Sequence, residues 1–540
     1  MSQFINARNS VVTESIDGML RASGGRLGRL DGYPHIKVVV RNDWSRDRVA
    51  LVSGGGSGHE PSHAGFVGQG MLTAAVCGEV FASPSVDAVL AGILAVTGEA
   101  GCLLILKNYT GDRLNFGLAA ERAKALGYRV KMVIVDDDIA LPEIPQARGL
   151  AGALLVHKIA GAAAEEGRDL DAVASVAERV IAGVRTIGMS LNTCTVPGSE
   201  RESRIDEGHA ELGLGIHGEP GIEQVRFDSA EQAMKRVTDK LAQGLSDAPH
   251  VALLNNLGGT SQLEMGILAN ELARSSVGER IRWMVGPAPL MTAMDMQGFS
   301  VSLLPVDSQD EARLEMAVSP PAWPGAYRVE QITVLPVPDE VQSEQATPSS
   351  HPERKAFLQR CCELLLETEE TLNALDAKSG DGDTGSTLAT AARDLLKVLD
   401  QLPLADEASL FHAMGAELAK KMGGSSGVLL AIFFMAAGEA SAKGADLNQA
   451  LRAGLARMQE VGGAGLGDRT MIDALHPALE ALDSGITEAA HAARAGADAT
   501  AEITQARAGR SSYVRADKLA GHNDPGAEAV ALLFEGLQRG

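Results

Sequence analysis

This sequence is poor in aromatic residues and has no cluster of basic residues. Aromatic residues make up 4% of the 540 residues, and 48 Lys and Arg stand against 70 Asp and Glu, which gives a formal net charge of -22 at pH 7. Nucleic-acid binding depends on clustered Lys and Arg that neutralise phosphates. The sequence therefore argues against nucleic acid as a partner. The same charge repels phosphorylated molecules, so we expect any such ligand to arrive with its own cation.

Cysteine is scarce as well, and a long apolar run is missing. The five cysteines are odd in number and show no C-x-x-C spacing, which argues against a disulfide framework or a structural zinc site. No apolar run reaches the about 18 residues that cross a membrane. The first six residues, MSQFIN, lack the charged and apolar regions of a signal peptide. We therefore expect a cytoplasmic protein without a membrane partner.

The chain is long and rich in glycine. A single core seldom grows past about 250 to 300 residues, so 540 residues should hold more than one domain. The 60 glycines indicate many tight turns and close backbone approaches. The pattern predicts a two-lobed α/β domain over 1–330, with lobes of about 1–185 and 186–330. A proline-rich, polar linker over 331–355 and an all-α domain over 356–540 are predicted to follow.

Short β-rich runs alternate with helical patterns in the first domain, which predicts mostly parallel sheets. The predicted strands are 36–40, 49–53, 102–106, 130–135, 251–254 and 282–285. Ligands of such sheets gather at the carboxyl ends of strands. Two ends are informative: the glycine-rich loop Ser53–Pro61, which offers amides and the imidazole of His59, and the segment Lys107–Asp112. Between them, Ser83 is expected to cap a helix that runs to Thr97, which is a structural role.

One histidine of the second lobe stands out. His217 lies in the stretch Glu211–Gly221, between Gly215 and Gly218. Because glycine has no side chain, little packs around His217 in this stretch. For most histidines a structural role within the fold is the better interpretation. That interpretation applies to His63, His157, His209 and His351. The glycine setting makes His217 a candidate functional residue.

From residue 356 the periodicity is helical. Eight helices are predicted, over 356–373, 384–399, 408–421, 428–441, 447–461, 469–484, 487–507 and 526–537. The gaps between them carry glycine-rich loops that lead into helix starts. Free amides at such starts suit phosphate groups. The second domain is therefore predicted to be an all-α phosphate-binding domain.

Three carboxylates fall within eight residues, at Asp376, Asp381 and Asp383. Such a cluster is costly unless a cation neutralises it, and Asp alternating with Gly can bracket a hard cation with oxygen. An Asp/Gly surface loop is the competing interpretation for a lone D-G-D, and the additional Asp376 favours a metal. An EF-hand is excluded, because counting from Asp381 puts Gly385 in the fifth position and Ala392 in the twelfth, where that motif needs a carboxylate. The sequence predicts a metal and phosphate site.

Together, these motifs resemble the dihydroxyacetone kinase family in its single-chain, ATP-dependent form. The resemblance covers nearly the whole chain. It rests on the segments 53–62, 78–84, 107–116, 215–221, 375–386, 423–427, 467–475 and 521–527. It implies a two-lobed α/β substrate domain and an eight-helix antiparallel barrel that binds ATP and Mg²⁺. The positions named show no departure from the family's pattern.

By this resemblance, His217 forms a covalent hemiaminal with the substrate carbonyl. A bond to a carbonyl carbon favours a ketone or aldehyde over glycerol. Asp112 matches the family's general base, and His59 matches the neighbouring acid/base group. The implied substrate pocket comprises Gly56, Ser57, Gly58, His59, Lys107, Asp112 and His217.

The resemblance also implies an ATP site in the second domain, with Mg²⁺ ligands at Asp376, Asp381 and Asp383. The residues implied to hold the phosphates are Asp383, Thr384, Gly385, Ser386, Ser425 and Ser426. Those implied to surround the nucleoside are Gly462, Thr470, Met471, Asp524, Pro525 and Gly526. Catalysis is then positioning and charge neutralisation, with Asp112 taking the proton.

The implied activity is phosphorylation of dihydroxyacetone, with glyceraldehyde as a further acceptor, by a homodimer. Three alternatives stay open: a kinase for a four-carbon ketose such as erythrulose, a lyase that splits FAD into AMP and cyclic FMN, and a sugar-sensing binding protein. A family form that takes phosphate from a phosphotransferase protein has its domains on separate chains, so the fusion favours free ATP. The three aspartates together with Asp112 argue against a sensor.

Overall fold

The structure is a computed structural model that describes residues 3–143, 146–202, 204–338, 347–378, 380–421 and 424–539, without the side chains of 424–426, 510, 511, 517 and 518. It divides into two compact units, Met1–Thr333 and Val334–Gly540. The predicted fold class is confirmed, because the first unit is α/β and the second is all-helical. Within the described ranges, no helix combines the length and the apolar character needed to cross a membrane.

A mixed six-stranded sheet forms the first lobe. Its strands are β1 (Leu27–Arg29), β2 (Val38–Arg41), β3 (Ala50–Ser57), β4 (Ala74–Val80), β5 (Cys102–Lys107) and β6 (Val130–Val135). In the order β1-β2-β4-β3-β5-β6, the strands from β4 to β6 run parallel, and β1 and β2 pair antiparallel at one edge. The parallel part of this sheet therefore agrees with the sequence pattern.

Helices cover both faces of this sheet. They are α1 (Val11–Ala22), α2 (Val86–Val96), α3 (Thr110–Ala125), α4 (Ala153–Glu165) and α5 (Leu170–Gly183). Successive side chains of a strand point to opposite faces. Leu51 of β3 accordingly packs in a core cluster with α1, α4 and α5, while Val52 packs in a cluster with α2 and α3.

The second lobe holds a seven-stranded sheet. Its strands are β7 (Arg185–Ser190), β8 (His209–Leu212), β9 (Glu223–Arg226), β10 (His250–Asn256), β11 (Ile281–Pro289), β12 (Gly298–Pro305) and β13 (Ala326–Arg328). Its helices are α6 (Ala230–Ala242), α7 (Gln262–Arg274) and α8 (Ser308–Glu315). In the order β13-β11-β10-β12-β7-β8-β9, β10 and β11 pair in parallel and the other neighbours pair antiparallel.

The expectation of mostly parallel sheets is therefore wrong for the second lobe. A parallel pair needs a crossover connection of a dozen or more residues. The helix α7 supplies such a crossover between β10 and β11, whereas β7, β8 and β9 follow one another without a helix. Strands joined in that way can pair antiparallel.

The second unit is built from helices. Those in its described residues are α9 (Pro352–Glu367), α10 (Glu369–Asp376), α11 (Thr384–Val398), α12 (Glu407–Lys421), α13 (Gly424–Ala442), α14 (Leu447–Gly462), α15 (Ile472–Ala481), α16 (Ile486–Ala499), α17 (Ala516–Leu519) and α18 (Pro525–Gln538). The helix predicted over 356–373 is divided at Thr368 into α9 and α10. The helix predicted over 487–507 ends at Ala499, where a tighter turn at Thr500–Glu502 follows α16.

The glycine-rich segment Ser53–Pro61 is not a loop throughout, because β3 continues to Ser57. Glycine is needed in this strand for close approach. A Cβ on Gly54 would lie 2.2 Å from the carbonyl oxygen of Val76 in β4. The turn that follows the strand carries His59 into the interior of the unit, where its side chain is fully buried.

We expect Leu104→Ala to lower the free energy of unfolding of the first unit by about 2–5 kcal/mol, because Leu104 is fully buried in β5 and its truncation leaves a cavity. The three tryptophans, Trp44, Trp283 and Trp323, all lie in this unit, so their fluorescence during urea denaturation reports on it. The matched control is Leu114→Ala, at a side chain that is 66% exposed. Equal losses in the two variants would contradict the buried position of Leu104.

Candidate active site

Two histidines lie at the centre of the candidate site in the first unit. His59 follows β3 in the first lobe, and His217 comes from the second lobe. Their Nε2 atoms are 3.1 Å apart. Nδ1 of His59 lies 2.8 Å from the carbonyl oxygen of Thr292, and Nδ1 of His217 lies 3.0 Å from Oε1 of Glu219. Residues of both lobes therefore meet in one hydrogen-bonded line.

Glu219 is held firmly beside His217. Its Oε2 accepts the backbone amide of His217 at 3.0 Å. Burial alone would raise the pKa of Glu219, but the hydrogen bond and the charge of His217, together with backbone amides, lower it to about 2. Glu219 is therefore a carboxylate at neutral pH. Glu219 was not predicted as a site residue, although a carboxylate two residues after a candidate histidine is a signal that could have indicated it.

Aromatic rings surround the histidine pair. Phe81 stacks on His59, with ring centroids 5.2 Å apart, and Phe81 and Tyr109 both meet the ring of His217 at right angles. Burial, followed by the charges of Lys107 and His217, holds the pKa of His59 well below its usual value. His59 is therefore neutral in this site. Phe81 and Tyr109 were not predicted, because nothing in their local sequence places them near His217.

The predicted base, Asp112, lies in the first turn of α3 and is buried. Burial raises its pKa, and the charge of Lys107 and a hydrogen bond from Ser83 oppose that rise. The hydroxyl of Ser83 donates to Oδ1 of Asp112 at 2.5 Å. The expectation that Ser83 caps a helix is therefore wrong: the N-cap is Ser85, which accepts the amide of Ala88, and α2 begins one residue later.

Lys107 ends β5 and is fully buried. Its Nζ has no hydrogen-bond partner within the described ranges. Burial lowers the pKa of Lys107, while the nearby carboxylates of Asp112 and Glu219 act in the opposite direction. A buried ammonium without a partner is costly, so it favours binding of an oxygen-rich molecule.

Gly56, Ser57 and Gly58 were predicted to line the substrate pocket. They contribute backbone more than side chains to the candidate site. A Cβ on Gly56 would lie 2.9 Å from the backbone of Phe81. The hydroxyl of Ser57 donates to the carbonyl oxygen of Gly78, and the amide of Gly58 donates to the carboxylate of Glu60. Ser57 is thus already engaged within the sheet.

The histidines interpreted as structural lie outside this line of contacts. His63 and His157 are buried and face each other at 3.1 Å, each with one ring nitrogen that has no partner among the residues described. His209 contacts the carbonyl oxygen of Glu207, and His351 caps α9 by accepting the amide of Arg354.

The three aspartates of the second unit come together around one point. One carboxylate oxygen from each of Asp376, Asp381 and Asp383 lies within 4.8 Å of the others. Asp376 is buried at the end of α10, while the other two are exposed. Clustered carboxylate oxygens are the donor set that Mg²⁺ takes in proteins. The residues present therefore fit the predicted metal.

The start of α11 is ordered by side chains from α10. Oδ2 of Asp376 accepts the amides of Asp383 and Thr384 and the hydroxyl of Thr384, at 3.0–3.1 Å. The amide of Ser386 donates to Asn373, whose own amide group donates to the hydroxyl of Ser386. These donors already have partners, so a bound cation is the stronger attraction for phosphate here. The side chains of Ser425 and Ser426 lie outside the described residues.

The loops predicted to surround a nucleoside are neighbours. A Cβ on Gly526, at the start of α18, would lie 3.2 Å from Cβ of Met471. Asp473 accepts the amide of Thr470, which shapes the loop before α15. Asp524 caps α18, and burial raises its pKa to about 6. Gly462 ends α14, and a Cβ there would lie 3.0 Å from the side chain of Leu429.

An unpredicted residue ties these loops together. Arg469 is fully buried, and its Nη2 donates to the carbonyl oxygens of Leu519 and His522, at 3.1 and 2.7 Å. These two hydrogen bonds link the loop before α15 to the segment before α18. A buried arginine can be recognised only once the fold is known, because arginine is usually exposed.

Comparison with known proteins agrees with this division into two units. Residues 17–322 match the Dak1 domain model, and residues 378–539 match the DAK2 domain model. The chain is 48% identical over 546 residues to the dihydroxyacetone kinase of Citrobacter freundii, with 99% of each protein covered. The chain belongs to the dihydroxyacetone kinase family.

A solved structure of that relative and a human relative extend the comparison. The crystal structure of the Citrobacter freundii dihydroxyacetone kinase in complex with AMP-PNP and Mg²⁺ is similar, with a TM-score of 0.71, 46% identity, and 100% of this chain and 99% of that chain covered. The human triokinase/FMN cyclase is 39% identical over 574 residues, with 99% of this chain and 98% of the human protein covered. The resemblance to the family is confirmed over the full length.

We expect Ser83→Ala to shift the acid limb of the kinase pH profile upward. Ser83 donates to the ionised form of Asp112 and so lowers its pKa; loss of this hydrogen bond therefore raises the pKa of Asp112. A base must be ionised to act, and kcat/KM for dihydroxyacetone should therefore begin to fall at a higher pH than in the wild type. The control is Ser85→Ala, which removes the cap of α2 at about 1 kcal/mol of stability. An identical shift in the control would contradict the role of Ser83.

Proposed function

We propose that this chain phosphorylates dihydroxyacetone, with Mg-ATP as the phosphoryl donor. One observation carries the proposal: the chain contains both a hydrogen-bonded histidine line that suits a carbonyl compound and a three-aspartate cluster that suits Mg²⁺. Family membership supports both halves. The similar Citrobacter freundii protein is a dihydroxyacetone kinase, and its matching crystal structure contains AMP-PNP and Mg²⁺.

The proposed first step is capture of the carbonyl group by His217. Nε2 of His217 bonds to the carbonyl carbon of dihydroxyacetone and forms a hemiaminal. Glycerol has a similar size and number of hydroxyl groups but no carbonyl, so it gains nothing from this residue. Lys107, whose Nζ has no hydrogen-bond partner in the part of the chain that the structure describes, would hold a hydroxyl group together with the backbone around Gly56 and Gly58.

The proposed base for the second step is Asp112. Its carboxylate is buried, near Lys107, and receives a hydrogen bond from Ser83. A substrate hydroxyl that donates to Asp112 would lose its proton to the carboxylate as its oxygen attacks the γ-phosphorus, while the bond from that phosphorus to the β,γ-bridging oxygen breaks and ADP leaves. The buried position excludes water, which would otherwise compete as the phosphoryl acceptor.

Asp376, Asp381 and Asp383 would hold Mg²⁺, which when bound offsets the negative charge of the ATP phosphates. Thr384, Gly385, Ser386, Ser425 and Ser426 are proposed to lie along the phosphates. Gly462, Thr470, Met471 and the segment Asp524–Gly526 are proposed to surround the nucleoside. The contact between Met471 and Gly526 supports the second group.

Transfer requires the phosphoryl donor and the acceptor to meet. We propose that the substrate domain comprises residues 1–330 and that the ATP domain comprises residues 356–540. Residues 331–355 are proposed to form the linker between them. We further propose a homodimer, in which transfer occurs either within one chain or between the two chains.

A second candidate activity is the cleavage of FAD to AMP and cyclic FMN. It is favoured by one finding, the 39% identity to a human protein that is a triokinase and FMN cyclase. This activity would use the same aspartate cluster with a divalent cation. Incubation of the full chain with FAD and Mn²⁺, followed by chromatography, tests it, and absence of the cyclic product would exclude it.

We expect turnover in a coupled assay with ATP, Mg²⁺ and dihydroxyacetone, and loss of at least about 100-fold in the Asp381→Ala variant, because the metal loses a ligand. Binding of the carbonyl compound should survive in that variant. The control is Asp400→Ala, at an exposed aspartate paired with Lys355. Full activity of the Asp381 variant would contradict the metal assignment.

Substrate class is tested in the same assay with erythrulose, glyceraldehyde and glycerol. We expect dihydroxyacetone to be preferred and glycerol to be inert, because glycerol has no carbonyl. Brisk phosphorylation of erythrulose with a near-zero rate on dihydroxyacetone would instead indicate a four-carbon ketose kinase. Tight carbonyl binding without any ATP consumption would indicate a sensor.

A further inference from the structure

We propose that Glu219 is a positioning residue for His217, and that the line from Thr292 through His59 and His217 to Glu219 stores the proton that the carbonyl oxygen receives during capture. This inference rests on the proposed function, since it concerns the formation of the hemiaminal. Glu219 lies two positions from the nucleophile His217 and contacts it twice, through the His217 ring and through the His217 backbone amide.

The protonation of His59 follows from its partners. Its Nδ1 faces a carbonyl oxygen, that of Thr292, which can only accept. Nδ1 therefore carries a hydrogen. Because His59 is neutral in this buried site, its Nε2 carries a lone pair and accepts a hydrogen bond.

The partners of His217 fix a proton on each of its nitrogens. Nδ1 faces the ionised carboxylate of Glu219 at 3.0 Å, and Nε2 faces the lone pair of His59 at 3.1 Å. Two acceptors require two donors. Without substrate, His217 is therefore an imidazolium that is paired with Glu219 and donates to His59.

The loop is shaped to keep the carboxylate of Glu219 at this position. A Cβ on Gly215 would lie 2.1 Å from its Oε2, so only glycine leaves the space. The amide of Gly215 also donates to the carbonyl oxygen of Glu219 at 2.9 Å. Arg148 braces the turn by donating to the carbonyl oxygen of Gly213 and pairing with Asp138.

The capture step balances with these groups alone. The Nε2 proton of His217 passes to Nε2 of His59, and the freed lone pair of His217 forms the bond to the carbonyl carbon. The carbonyl π electrons move to oxygen, which takes the proton from His59. The product is a hemiaminal whose imidazolium, alkylated on Nε2 and protonated on Nδ1, stays paired with Glu219. No charge enters or leaves the site.

The pH dependence of this step is set by the charged groups that face the histidine pair. The carboxylates of Glu219 and, from further away, Asp112 favour retention of the proton by the histidine pair. Lys107 disfavours its retention. Tyr109, whose pKa is raised well above its usual value by burial, stays neutral. Removal of the charge on Glu219 therefore lets the proton leave at a lower pH.

The test measures adduct formation by the full chain with dihydroxyacetone labelled with ¹³C at its carbonyl carbon, in the absence of ATP and Mg²⁺. The carbonyl signal is replaced by that of a tetrahedral carbon when the hemiaminal forms. We expect Glu219→Gln to move the pH at which the adduct is lost on the basic side downward by about one to three units. Gly215→Ala, which keeps the charge but displaces it, should shift this limb in the same direction.

The matched control is Glu211→Gln. Glu211 is a buried carboxylate of the same region, bonded to Gly221 and Arg204. We expect Glu211→Gln to reduce the amount of adduct, as a merely structural effect would. It should not move the pH at which the adduct is lost on the basic side. An unmoved limb in Glu219→Gln would overturn the role of Glu219 and leave the kinase proposal standing. Absence of the adduct in the wild type would overturn the proposed carbonyl capture, and this inference with it.

Discussion

The burial of His59 between the two lobes is the constraint on which the site of the first unit depends. A buried imidazole is stable when both of its nitrogens have partners. Those partners, Thr292 and His217, both come from the second lobe. The backbone adds further ties, because the amide of Thr292 donates to His59 and the amide of Met294 donates to Gly58. The lobes must therefore close on His59 before a site exists.

Charge, by contrast, organises the site of the second unit. Three carboxylates share a space less than 5 Å across in a protein that already carries a net charge of -22. Hydrogen bonds from the amide and the hydroxyl of Thr384, at the start of α11, to Asp376 order the cluster. They do not neutralise its negative charge. A divalent cation held by these carboxylates, as proposed, would do so and would bring with it the phosphates that the protein alone would repel. The two candidate sites thus differ in their physical basis: burial of an imidazole in one, and concentration of negative charge in the other.

Much of this arrangement could be predicted from the sequence. The aspartate cluster, the strand end at Lys107 and the glycine setting of His217 are local patterns, so each was identifiable without a structure. The mostly antiparallel second sheet was not predicted, because strand direction depends on which strands become neighbours. Ser83 was misassigned for the same kind of reason: serine before a helix suits a cap, and only the approach of α3 shows that its hydroxyl meets Asp112.

By itself, the sequence determined which chemical groups are present and which short segments hold them, because motifs and periodicity are properties of neighbouring residues. The tertiary structure alone decided which groups touch. The contact between His59 and His217 joins residues 158 positions apart, and the bond between His59 and Thr292 joins residues 233 positions apart. The pairing with Thr292 fixes the tautomer of His59, and burial holds the pKa of His59 well below its usual value.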